Sequence, residues 1–202
     1  MPAPATATRA FRSDSKRNRD AVVDALLALF HEGNMAPSSA EIAERAGLSA
    51  RSLFRYFADV DDLCRAAIER QLGLTRPLLA IPVAVDAPVR ARVDALVTQR
   101  TRLFETNGPV ATVSRLRAPF QPLIADELTR GRAHLRRQIK DLFAPELRAM
   151  GSARASATLA AADVLCSFES YRLLRHDQSL SRARAAATLT VALVALITSE
   201  GQ

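Results

Sequence analysis

The stretch that most constrains this chain is AEIAERAGLSARSLFRYF, residues 40–57, where two short amphipathic patterns meet at Gly47. Ile42, Ala43 and Ala46 share one face of the first pattern, and Leu53 and Phe57 share one face of the second. Isolated helices shorter than about 12 residues are marginal in water, so both must be held by packing against something else. Gly47 allows the positive φ of a sharp turn. Leu48 places an apolar side chain inside that turn, which makes sense only if the turn is clamped onto a core.

The partner lies just upstream. Val22, Ala25, Leu26, Leu29 and Phe30 form an apolar stripe at helical spacing, predicting a helix over 14–31 with Gly33 as its stop. Ser38-Ser39-Ala40-Glu41 has the form of a capping box, so a second helix starts near Ser39 and ends at Gly47. Ser49 caps a third helix that runs to about Phe57. Asp59, with Asp61 and Asp62 in the first turn, caps a fourth that runs to about Gly73. Three prolines within 74–90 mark a domain boundary. Five more helices are expected, over 89–106, 110–117, 121–143, 152–175 and 179–198. The breaks between them are Asn107-Gly108-Pro109, Pro119, Pro145, Gly151 and His176-Asp177. No strand-like alternation of useful length occurs. The expectation is an all-α chain of about nine helices: a disordered basic arm (1–12), a three-helix helix-turn-helix domain (13–58) and a larger helical domain (59–202) whose residues 59–73 are a connecting helix.

The formal net charge of +7 favours a polyanionic partner. One group of cations, Arg9, Arg12, Lys16, Arg17 and Arg19, lies at the N-terminus. Another, Arg130, Arg132, Arg136, Arg137 and Lys140, reads as a solvated helix face. Cys64 and Cys166 are too isolated for a disulfide framework or a zinc site. No signal peptide is visible, and the most apolar segment, 185–198, is shorter than the roughly 20 residues that a bilayer span needs. The expectation is a cytoplasmic protein with no membrane, no metal and no cofactor. His31, His134 and His176 stand in unrelated segments and no catalytic motif occurs, so no enzyme is expected. A membrane-surface protein is the other reading of the basic balance, although 185–198 is apolar nearly all round rather than on one face.

With Leu53 and Phe57 turned inward, Ala50, Arg51, Ser52, Phe54, Arg55 and Tyr56 lie towards the opposite side. Such a surface suits the major groove of B-DNA, which admits one helix. Arg51 is placed to meet guanine O6 and N7, and Ala50 and Phe54 to touch thymine methyls. Arg55, Tyr56, Ser39 and Ser52 suit phosphates, which set register without reading sequence. The residues by themselves also allow a plain helical hairpin with a basic outer face.

The first 65 or so residues resemble the DNA-binding domain of the TetR (tetracycline repressor-like) family of transcriptional regulators. The resemblance rests on Leu29-Phe30 with Gly33 following, Ser39 before Ile42-Ala43, Ala46-Gly47-Leu48-Ser49, Leu53-Phe54-Arg55-Tyr56-Phe57, and Asp61-Asp62-Leu63. It implies that Ala50, Arg51, Ser52, Phe54, Arg55 and Tyr56 contact DNA. Two positions depart from the family. Phe54 stands where tyrosine is frequent, and Val60 stands where lysine is frequent. Each departure removes a bond to phosphate.

A single recognition helix presents little area, and helix-turn-helix dimers join half-sites about 34–36 Å apart or multiples of that. The last two helices are the expected homodimer interface, through Leu159, Ala162, Cys166, Leu189, Ala192, Leu193 and Leu196. The resemblance implies the same arrangement, together with repression of a palindromic operator and release by a small-molecule effector. Phe104, Arg115, Phe120, His134, Phe143, Phe168 and Tyr171 are the candidate effector-lining residues. A helical DNA-binding or membrane-surface protein without small-molecule control is the alternative.

Overall fold

The computed structural model describes residues 5–199, with side chains from Asp14 onward. It divides into two compact units: residues 1–74 with 109–125, and residues 75–108 with 126–202.

The first unit is built on α1 (Ala5–His31), α2 (Ser39–Arg45), α3 (Ala50–Tyr56) and α4 (Val60–Thr75). The expected start of α1 at Asp14 is too late. The backbone is already helical from Ala5, through much of the stretch read as a disordered arm. The arm's first four residues, and the side chains of Arg9 and Arg12, lie outside the described residues. α1 ends as expected. Gly33 takes φ +93°, and the Gly33 and Asn34 amides donate to the Phe30 and Leu29 carbonyls at 3.1 and 3.0 Å. This is the paired closure of a Schellman motif.

The capping box of α2 is complete. The Glu41 amide donates to Ser38 Oγ (3.3 Å) and the Ser38 amide to Glu41 Oε2 (2.8 Å). α2 closes as α1 does. Gly47 has φ +69°, its amide donates to Glu44 O at 3.0 Å, and the Leu48 amide donates to Ala43 O at 2.9 Å. Leu48 packs against the core under the turn. Ser49 then caps α3 by accepting the Ser52 amide at 3.2 Å, and Asp59 caps α4 by accepting the Asp62 amide at 2.7 Å.

Val22, Val23, Leu26, Leu27 and Phe30 of α1, Ile42 and Ala43 of α2, Leu53 of α3, Phe57, and Leu63 and Ala67 of α4 make one buried cluster, to which Val113 also belongs. The two seven-residue helices therefore stand on this core, which supplies the stability they lack alone.

Further along the chain, the expected break at Asn107-Gly108-Pro109 is absent: α5 runs unbroken from Val89 to Arg117 with Pro109 inside it. An interior proline costs a helix about 3 kcal/mol. Here Leu103 and Phe104 before it and Ala111 and Val113 after it are all buried, and their burial keeps the helical register. α6 (Pro122–Leu142) is close to its expected span, and Pro145 opens a short α7 (Ala144–Ala149) instead of merely interrupting the chain. The single helix expected over 152–175 is split. α8 (Ser152–Leu165) stops at Cys166, Ser167 caps α9 (Phe168–Arg172) through the Ser170 amide at 3.1 Å, and one π-helical turn follows at Leu173–Asp177. α10 (Arg182–Thr198) is capped by Ser181. Among the described residues there are ten α-helices and no strand.

Candidate nucleic-acid interface

The inner face of α3 is buried through Leu53 (4% exposed) and the adjoining Phe57 (2%), while Phe54 is 65% exposed. Ser39, Ala50, Arg51 and Arg55 are also exposed, and Ser52 and Tyr56 are half-buried. The seven predicted DNA-facing residues therefore lie at the accessible side and ends of α2 and α3, as the periodicity requires.

Their availability differs. Arg51 makes no ion pair among the described residues, and the Arg55 guanidinium lies 5.9 Å from the Tyr56 ring centroid. Ser52 Oγ is 2.9 Å from Ser49 Oγ, within the cap. The Tyr56 hydroxyl accepts a hydrogen bond from Asn18 Nδ2 at 2.8 Å, which leaves its own proton free to be donated outward. Val60 is 59% exposed at the first position of α4 and offers a phosphate nothing.

Not all the N-terminal cations are unpaired. Lys16 pairs with Asp20 at 2.8 Å and Arg17 with Asp14 at 3.1 Å. Arg19 is a bracket. It reaches Asp62 through two hydrogen bonds (2.7 and 3.1 Å), donates to the Tyr56 carbonyl at 2.5 Å, and stacks 4.3 Å over the Phe57 ring. One guanidinium thus ties α1 to the end of α3 and the start of α4. Sequence reasoning placed Arg19 in an N-terminal group of cations and Asp62 at a helix dipole, because nothing local links positions 43 residues apart.

The hydrogen bonds from Arg19, followed by the Ala58 amide at 3.2 Å, hold the Asp62 carboxyl down at about 2. A free aspartate titrates near 3.9. A depressed folded value adds stability above the unfolded one, and the contribution is lost as pH falls towards the folded one. The stability advantage of the native chain over Asp62→Asn should therefore be constant above about pH 5 and shrink between about pH 4 and 2. Thermal unfolding of both across that range checks this, and an advantage that is unchanged at pH 2 would dismiss the bracket.

The other predicted sites divide. Of the seven effector candidates, Phe104, Phe168 and Tyr171 come together, with Phe104 5.6 Å from Phe168 and 5.8 Å from Tyr171 by ring centroids. The Tyr171 hydroxyl donates to Glu105 at 2.5 Å. Phe143 is fully buried beneath the guanidinium of Arg92, and His134 is half-buried on α6. Arg115 and Phe120 belong to the first unit, unlike the other five, and Phe120 is 84% exposed.

The expected dimer residues divide by burial. Ala162, Cys166, Leu189 and Leu193 are 0–4% exposed in a single chain, so they face its own core, while Leu159, Ala192 and Leu196 are half-buried. The alanine-rich sequences of α8 and α10 carry few polar residues to show which side faces in. The outward apolar residues are Val164 on α8 (64% exposed) and Val191 on α10 (67%), flanked by exposed Ala157, Ala160, Ala187 and Ala195.

A short helix held over a shared core by a glycine turn, with arginine and aromatic side chains outward, defines a helix-turn-helix DNA-binding protein. Residues 22–67 match the family model of bacterial regulatory proteins, tetR family. Two solved structures share the fold. One, from Rhodococcus sp. and assigned to the TetR family of transcriptional regulators, is 20% identical with TM-score 0.66, covering 90% of this chain and 99% of its own. Another transcriptional regulator, from Rhodococcus sp. Rha1, is 17% identical with TM-score 0.65, covering 91% and 95%. No curated protein matches. Among the described residues no helix is long and apolar enough to cross a membrane, and no group of side chains suits a metal ion.

Proposed function

We propose that the protein is a homodimeric transcriptional repressor. It reads a palindromic operator through one α3 per protomer and is released by a small molecule bound in the second unit. The observation that carries the reading is the division of α3: Leu53 buried, and Arg51, Phe54 and Arg55 turned to solvent. Arg51 reads a base edge, and Arg55, Ser39 and the Tyr56 hydroxyl hold phosphates. The test is selection of bound fragments from a random DNA pool. Two inverted half-sites with centres one helical turn or a whole multiple apart are expected. Enrichment of a single unpaired half-site, or of nothing, would overturn the reading.

The dimer forms through the outward faces of α8 and α10. Val164 and Val191 are large apolar side chains left in water on helices that already supply the protomer's core, and small alanines around them permit close helix approach. Val191→Glu should convert dimer to monomer on sizing chromatography without altering the helical circular dichroism. A dimer that survives Val164→Glu and Val191→Glu together would place the interface elsewhere.

A further inference from the structure

Arg100 is the buried group that the fold alone leaves unexplained. It is 1% exposed and sits in the apolar stripe of α5 between Leu96 and Phe104, both buried. Its Nη1 donates to the side-chain oxygens of Gln99 and Gln138, the latter at 3.0 Å, and its Nη2 donates to the Leu135 carbonyl at 3.0 Å. All three acceptors are neutral. Asp163, close enough for its charge to be felt, pairs instead with Arg136 at 3.2 Å. Arg100 Nε has no acceptor. Burial pushes the guanidinium down to about 10, which still leaves it charged at neutral pH. A buried cation with an unmatched N–H and no carboxylate bonded to it is disfavoured, and an anion brought to it relieves that cost.

A second polar group nearby is also unmatched. His134 Nε2 is buried without a partner. His134 lies one turn before Gln138 on the same face of α6, the face that meets Arg100.

We infer that the second unit binds a small organic monocarboxylate, with Arg100 Nε and His134 Nε2 as donors and Leu96 and Phe104 beside its hydrocarbon part. The inference rests on the effector reading above and supplies its chemistry. One guanidinium without a bonded carboxylate matches one negative charge, and a phosphate dianion would bury a second charge with no further cation bonded to it. The amides that hold Arg100 also connect it to the backbone. Gln99 Nε2 donates to Leu78 O and Gln138 Nε2 to Leu79 O, each at 2.7 Å. Both carbonyls belong to the turn Arg76–Leu79, which follows α4 in the chain. An anion that draws Arg100 towards itself changes what the two glutamines hold, and so shifts that turn.

The probes are octanoate and benzoate, each against its neutral amide, titrated into the full-length protein labelled with nitrogen-15. The Nε–H resonance of Arg100 is identified by its loss in Arg100→Lys. Both carboxylates should bind at least about tenfold more tightly than their amides, as expected when a charged hydrogen bond is at stake, and should move that resonance saturably. Inorganic phosphate should not. His134→Phe, at a half-buried position, should weaken the carboxylates several-fold and spare the amides. Equal affinity for acid and amide, saturation without movement of the Arg100 signal, or no saturable binding would each overturn the site. Operator binding is measured in the same samples. Carboxylate bound at Arg100 with unchanged operator affinity would remove the effector role and leave the site. Intact operator binding without carboxylate binding would remove the site and leave the DNA reading.

Discussion

Phe57→Ala should lower the stability of the first unit by about 3–5 kcal/mol and abolish specific DNA binding. Phe57 is 2% exposed in the cluster that joins α1, α2, α3 and α4, and its ring lies 4.3 Å under the Arg19 guanidinium. Truncation leaves a cavity and also removes the surface on which Arg19 rests between Tyr56 and Asp62. A whole domain of this size is stable by only about 5–15 kcal/mol, and α3, at seven residues, cannot persist without its support. Phe54→Ala is the matched control. That side chain is 65% exposed on the opposite side of the same helix, so its loss should change stability by no more than about 0.5 kcal/mol while still weakening binding to thymine-containing half-sites. Urea unfolding followed by circular dichroism separates the two. Equal midpoints for the two variants would mean that α3 does not stand on Phe57.

The same contrast explains what the sequence made legible. The caps at Ser38, Ser49 and Asp59, the positive-φ glycines and the inward pair Leu53 and Phe57 all depend on neighbours within a few residues, and each has a residue-specific physical cause. Arg19 with Asp62, Asn18 with Tyr56, and Arg92 with Glu146 and the Leu142 carbonyl join positions 38 to 54 residues apart, and no local signal marks them. α8 and α10 were legible as helices, but their alanine-rich pattern says little about which side faces in: Ala162 is buried and Val164 exposed, on either side of Asp163. Proline misled in both directions. Pro109 is carried inside α5 by the burial on either side, whereas Pro145 starts a helix. Arg100 did leave a trace: it falls in step with Val93, Leu96, Val97 and Phe104, all buried. An arginine on the apolar phase of a helix signals a buried charge that needs an explanation.

Arg51→Ala should relax preference at one base pair of each half-site by about 1–3 kcal/mol, roughly fivefold to more than a hundredfold in affinity for the preferred base. Arg51 lies in the first turn of α3, is exposed, and makes no ion pair among the described residues. On the proposed reading its guanidinium meets a base edge without first breaking an ion pair within the protein. Arg55→Ala is the informative companion. A phosphate contact carries no sequence information. Removing it should weaken all duplexes about equally and flatten the slope of log affinity against log salt by about 0.9 for each phosphate that Arg55 neutralises. The two arginines thus give distinct signatures on one panel of single-base operator variants measured at several salt concentrations. If Arg51→Ala weakened every variant evenly, Arg51 would bind the DNA backbone. Sequence reading would then fall to Ala50 and Phe54, whose apolar side chains can distinguish thymine by its methyl group but cannot recognise guanine.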